Sequence, residues 1–188
     1  MLLKLKRTPG IYLVGFMGCG KTTVGRELAR RLERPFFDLD ELVEAAEEMT
    51  IKELFGEKGE PYFRKRERDI LRSTRYLAAG VVATGGGTFT FDDNIQFIQA
   101  EGLSIYLSIP FNVLINRIGD KAAERPLFRD DLATHELYTS RLRYYKMSDL
   151  TLDIRESETI PEVVERILLE LPKATFDSPL GGTRWRSS

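Results

Sequence analysis

Gly15-Phe16-Met17-Gly18-Cys19-Gly20-Lys21-Thr22 is the stretch on which the reading of this chain turns. It matches G-x-x-x-x-G-K-[ST] at every fixed position, the spacing of a P-loop whose backbone N–H groups surround phosphate. The flanks agree. Ile11-Tyr12-Leu13-Val14, just before it, is a short apolar, β-branched run of the kind that forms a buried strand. Val24, Leu28 and Leu32, just after it, recur every four residues and share one helix face. The glycines allow turns that a Cβ would block, and the positive end of the following helix adds to the attraction for an anion. Lys21 can reach the outer phosphates of a nucleotide, and the Thr22 hydroxyl can ligate Mg²⁺. The motif gives nucleotide binding but leaves the acceptor of the phosphoryl group open.

At 188 residues the chain suits one domain with a substantial core. Its 28 basic and 29 acidic residues nearly cancel, so no broad basic surface for nucleic acid is expected. Cys19 is the only cysteine, which excludes an intrachain disulfide and fits a reducing compartment. With one Cys and one His, a His/Cys metal site is not expected either. Leu2, Leu3 and Leu5 are interrupted by Lys4, Lys6 and Arg7, and the apolar run that follows is too short for a signal peptide. No membrane partner is expected, and the cytoplasm is the default location.

Apolar runs near residues 11, 37, 82, 105 and 152 read as strands, with helical patterns between them. Expected helices cover about 21–33, 41–49, 51–55, 61–79, 92 onward, 111–118, 134–147 and 160–171. Thr50 with Glu53, and Thr159 with Glu162, have capping-box spacing. Alternation of this kind predicts an α/β fold: a five-stranded parallel central sheet with helices on both faces. Residues 1–171 are expected to form the single domain. Residues 119–133 are polar and without period, as in a mobile lid, and 172–188 read as a mobile tail.

In parallel sheets ligands bind at the carboxyl ends of the strands, so the residues there matter most. Asp38 and Asp40 follow the second strand; as alternate strand residues they would share a face and both enter the site, while Asp40 also suits a helix N-cap. Gly85-Gly86-Gly87 follows the third strand, permitting either a tight turn or close approach of backbone to ligand. In the helix beginning at Pro61, Glu67 falls on the apolar face with Phe63, Ile70 and Leu71, and needs a partner. Arg64, three residues back, can supply it, either as a plain ion pair or as a fork held ready for a carboxylate or phosphate. Arg125-Pro126-Leu127 in the polar stretch suits a lid arginine or an ordinary surface loop, and Arg141 is a further candidate anion contact.

These elements in this order resemble the shikimate kinase family over about residues 10 to 165. The resemblance rests on the P-loop, Asp38-x-Asp40, Gly59-Glu60-x-x-Phe63-Arg64-x-x-Glu67, Thr84-Gly85-Gly86-Gly87, Arg125-Pro126-Leu127, and Arg141 before Tyr145 and Asp149. It implies a three-layer α/β/α P-loop kinase using ATP with Mg²⁺ as cofactor, a small-molecule acceptor and a monomeric chain. It further implies that Gly18, Cys19, Gly20, Lys21, Thr22 and Thr23 hold ATP phosphates, that Thr22 and Asp38 serve Mg²⁺, and that Asp40 binds the acceptor hydroxyl as a base. Arg64 and Arg141 would hold the shikimate carboxylate, with Gly85, Gly86 and Gly87 along the ring. Arg125 would be the lid arginine and Arg117 would pack on adenine. The family's usual Arg-x-Pro-Leu-Tyr is here Arg141-Leu142-Arg143-Tyr144-Tyr145, a departure beside the anchoring arginine. A kinase for another small polyol acid, such as gluconate, and a nucleotide-binding module without catalysis are the alternatives.

Overall fold

The computed structural model describes residues 9–77, 79–119, 131–171, 175–177 and 184–186. Five strands, β1 (Gly10–Val14), β2 (Phe36–Asp38), β3 (Val81–Ala83), β4 (Gly102–Ser108) and β5 (Leu150–Asp153), form one sheet in the order β2-β3-β1-β4-β5, with every pairing parallel. The helices are α1 (Lys21–Arg31), α2 (Leu39–Glu47), α3 (Ile51–Glu57), α4 (Gly59–Ser73), α5 (Asp92–Glu101), α6 (Phe111–Gly119), α7 (Asp131–Tyr145) and α8 (Ile160–Glu170).

Handedness assigns the layers. The crossover from β1 to β2 steps one way across the sheet and that from β3 to β4 steps the other, so right-handed connections put their helices on opposite faces. Accordingly α1 packs with α8, while α5 lies against β4 and beside α4. With both faces covered, β1, β3 and β4 are buried along nearly their whole length, which is why they read as continuous apolar runs. Leu13, Leu28, Ile98, Leu107 and Val164 sit at the centre of this main core. A second, small core of Val43, Leu54 and Phe63 holds α2, α3 and α4 together apart from the sheet.

Both capping boxes form, at Thr50 with Glu53 and at Thr159 with Glu162. Some boundaries differ from the sequence reading. α4 starts at Gly59 and ends at Ser73, where a 3₁₀ turn (Thr74–Tyr76) replaces its expected last turn. α7 begins at Asp131, three residues before the expected start. The remaining core of the expected lid, residues 120–130, lies outside the described residues. In the stretch expected to carry no element, β6 (Thr175–Asp177) and β7 (Arg184–Arg186) pair antiparallel. Phe176 and Trp185 favour strand, a signal that three-residue runs give only faintly.

Asp149 fixes where β5 joins β4. Its carboxylate accepts the Ser104 N–H at 2.8 Å and the Ser104 hydroxyl at 2.5 Å, and its own N–H donates to that hydroxyl oxygen at 2.9 Å. Ser104 is fully buried, so no water can replace these bonds. Asp149→Ala should therefore lower stability by about 2–3 kcal/mol, read as a lower urea midpoint with an unchanged slope; an unchanged midpoint would contradict this role.

Candidate active site

The P-loop leaves β1 and enters α1. Gly18 and Gly20 have φ of +80° and +91°, the left-handed region that glycine enters without strain. Lys21 curls back over the loop, its Nζ 2.9 Å from the carbonyl oxygens of both Gly15 and Phe16. Cys19 is buried: its Sγ lies 3.7 Å from Lys21 Nζ, and its N–H donates to the Phe16 carbonyl. It is the one residue of the 18–23 run that does not line the cleft above.

That cleft has a volume of about 630 Å³. Gly18, Gly20, Lys21, Thr22 and Thr23 form one wall, and Asp38, Asp40, Arg64, Glu67, Gly85, Gly86, Gly87 and Arg141 the other. Arg117, exposed in the last turn of α6, stands at its rim. Of the site residues expected from sequence, Arg125 alone lies outside the described residues.

Asp38 ends the second strand, as expected, whereas Asp40 differs from expectation in position. β2 stops at Asp38 because its partner β3 stops at Ala83, opposite it. Asp38 is then the N-cap of α2: its Oδ1 accepts the N–H of Asp40 at 3.0 Å, while its Oδ2 accepts the Thr22 hydroxyl at 2.6 Å. Asp40, expected on the strand or as the cap, is in the first turn of α2 instead. Both carboxylates still face the cleft, by way of a helix start rather than strand alternation.

Glu67 on α4 is fully buried. Its Oε2 accepts Arg64 Nη1 at 2.8 Å and its Oε1 accepts the Thr88 hydroxyl at 2.6 Å. Arg64 also donates through Nε and Nη2 to Glu60, at 3.2 and 3.1 Å. A guanidinium has five N–H groups, so one on each terminal nitrogen remains for a ligand. Gly85 and Gly87 are required by close approach: a Cβ on Gly85 would lie 2.5 Å from Glu67 Oε1, and one on Gly87 would lie 2.7 Å from both Arg64 Nη1 and Nη2. A Cβ on Gly86 would lie 3.6 Å from Arg141 Nη1, so Arg64 and Arg141 flank the same dipeptide. Tyr145, one turn beyond Arg141 on α7, donates its hydroxyl to the Gly86 carbonyl at 2.5 Å and fixes that peptide from behind.

Asp40 sits among these charges. Burial, then the Glu67 and Asp38 carboxylates, push its pKa from 3.8 up to about 7, against the pull of Lys21 and Arg64. A carboxyl poised there can exchange a proton near neutral pH.

Sequence reasoning missed several lining residues. Glu44 follows Asp40 by one helical turn, and its Oε1 accepts the Ile51 N–H at 2.8 Å. Ile51 and Phe55, four apart on α3, extend an apolar wall with Phe63. Helical spacing from Asp40 was the available signal for Glu44; Thr88, which bonds Glu67 without lining the cleft, offered none.

A family model described as "Shikimate kinase" matches residues 17–172. The chain belongs to the shikimate kinase family. A shikimate kinase of Aquifex aeolicus is 38% identical over 162 residues, covering 86% of this chain and 95% of that one. One of Ruegeria pomeroyi is 41% identical over 165 residues, covering 86% and 84%. Among solved structures, shikimate kinase from Acinetobacter baumannii in complex with shikimate superposes with a TM-score of 0.82 at 34% identity, covering 87% of this chain and 92% of that one. An APS kinase of Mycobacterium tuberculosis, at 14% identity and TM-score 0.58, shares the fold alone. The three-layer α/β/α architecture is that of these P-loop proteins, and the chain is a phosphotransferase. Among the described residues, no helix is long and apolar enough to cross a membrane.

The displaced ionisation of Asp40 has a consequence for stability. The folded chain keeps Asp40 protonated up to about pH 7, whereas the unfolded chain ionises it near its ordinary 3.8. Its contribution therefore favours the fold fully below about pH 4 and is lost as pH rises to about 7. Asp40→Asn, which cannot ionise, should raise Tm over the wild type at about pH 8, and the gain should shrink by about pH 5. A gain equal at both would contradict the displaced ionisation.

Proposed function

We propose that this chain transfers the γ-phosphoryl group of ATP to the 3-hydroxyl of shikimate, giving shikimate 3-phosphate and ADP for aromatic amino acid biosynthesis. One observation carries the reading: two guanidiniums, Arg64 and Arg141, flank Gly86-Gly87 in the same cleft as Asp40 and Lys21. Such a cleft suits a small alcohol that also bears a carboxylate. The arginines grip the carboxylate, and Gly85, Gly86 and Gly87 leave room for a ring against the backbone. Asp40 then receives the acceptor hydroxyl. Family membership and the shikimate-bound relative support the same choice.

In the mechanism, the N–H groups of Gly18, Gly20, Thr22 and Thr23 hold the ATP phosphates, and Lys21 moves its ammonium from the loop carbonyls to the transferred group. Asp40 takes the proton of the acceptor hydroxyl as that oxygen bonds to the γ-phosphorus and the bond to ADP breaks. The Thr22 hydroxyl and Asp38 carboxylate, hard oxygen donors 2.6 Å apart beside the loop, fit Mg²⁺, which prefers one or two such ligands together with phosphates. When bound, Mg²⁺ supplies positive charge to the phosphate oxygens. Arg117 at the rim is assigned to the adenine, and Arg125, by its place in the polar stretch 119–133, to the charge on the transferred group. The chain is assigned as a monomer acting on small molecules, and the cytoplasm is the assigned location.

The reading is tested by ADP release from Mg–ATP with shikimate, gluconate and nucleoside monophosphates as acceptors. Turnover with shikimate is expected; its absence would overturn the assignment. Arg64→Ala should raise KM for shikimate roughly ten- to hundred-fold, since it removes charge-assisted bonds, with KM for ATP nearly unchanged. Equal loss for both substrates would remove Arg64 from the acceptor subsite.

A further inference from the structure

Glu47, the last residue of α2, lies outside the cleft, yet its side chain is only 6% exposed. Oε2 accepts Lys58 Nζ at 3.0 Å and the Tyr62 hydroxyl at 2.8 Å, and Oε1 accepts Arg66 Nε. Lys58 joins α3 to α4, and Tyr62 and Arg66 are one turn apart on α4. The Lys58 ammonium also rests over the Tyr62 ring, 4.7 Å from its centroid. One carboxylate thus ties the end of α2 to the first two turns of α4.

The acceptor side of the cleft is divided between those two helices. Asp40 is in the first turn of α2, and Arg64 and Glu67 are on α4. The core between them buries Val43, Leu54 and Phe63, with Met49, Ile51, Phe55, Tyr62 and Ile70 packed around these and partly exposed. A core buried at three residues and ringed by half-exposed ones leaves part of the spacing of the two helices to polar ties. α1 and the P-loop belong to the main core.

We infer that Glu47 is a positioning residue for the acceptor, fixing α2 against α4 so that Asp40 and Arg64 meet the same small molecule. This rests on the acceptor subsite proposed above. Loss of the tie weakens acceptor binding and leaves nucleotide binding as it was. The three donors hold Glu47 ionised, with a pKa lowered to about 2, so the tie persists at any pH at which the enzyme works.

The test is Glu47→Gln in the full chain, which keeps the side-chain volume but turns an NH₂ toward cationic donors. KM for the acceptor should rise about tenfold and KM for ATP stay within about twofold. Amide hydrogen exchange of residues 51–73 should quicken about tenfold, with α1 and the sheet unchanged. The acceptor is whichever of the panel above the wild type phosphorylates, so failure of shikimate as substrate would overturn the function and leave the tie to be judged. Unchanged exchange in 51–73, or faster exchange with both KM values unaltered, would overturn the positioning role. Tyr62→Phe, which removes one hydroxyl, should reproduce the acceptor effect at about two- to threefold; a change in KM for ATP instead would contradict it.

Discussion

A carboxylate without access to water must be paired, and that constraint at Glu67 arranges the acceptor half of this enzyme. Its two oxygens take Arg64 from its own helix and Thr88 from the far side of the glycine loop. Pairing holds Arg64 in one pose with donors to spare. It also draws the Gly85–Gly87 backbone so near that a side chain at Gly85 or Gly87 would collide with the pair. The same negative charge, added to burial, keeps Asp40 from ionising at its usual pH. Breaking a buried pair of this kind costs about 3–5 kcal/mol, so the geometry is stiff where the chemistry requires it.

The sheet brings this half to the phosphate half. β1 lies at the centre, with β3 on one side and β4 on the other, and the β1-to-β2 and β3-to-β4 crossovers leave in opposite directions. The crevice at that switch is where the P-loop emerges; Gly85 follows the neighbouring β3, and Asp38 ends β2, one strand further out. Asp38 joins the halves directly: one oxygen caps α2 and the other holds the Thr22 hydroxyl of α1. The start of the acceptor-side helices is thereby tied to Thr22 of the phosphate side.

Much of this was legible in the sequence, because periodicity forces it. Glu67 could be recognised as paired because its spacing with Phe63, Ile70 and Leu71 placed a charge on an apolar face. Strand order was not legible, but alternation of strand and helix limited it to a parallel sheet. The placing of Asp40 was not legible because β2 ends where β3 ends, a limit imposed by a partner strand more than 40 residues away. Thr88 and Glu47 escaped for the same reason: their value lies in contacts between elements, and nothing local marks a threonine after a glycine loop or a glutamate in an acidic helix. Lid residues 120–130, Arg125 among them, fall outside the described residues.

The central claim is that the guanidiniums of Arg64 and Arg141 select an acceptor by its carboxylate. Calorimetric titration of the unaltered chain, in the presence of ADP, with shikimate and with its uncharged methyl ester tests this without disturbing the fold. Removing one charge from the ligand should weaken binding roughly ten- to hundred-fold, the worth of charge-assisted hydrogen bonds. Equal affinity for acid and ester would contradict the account.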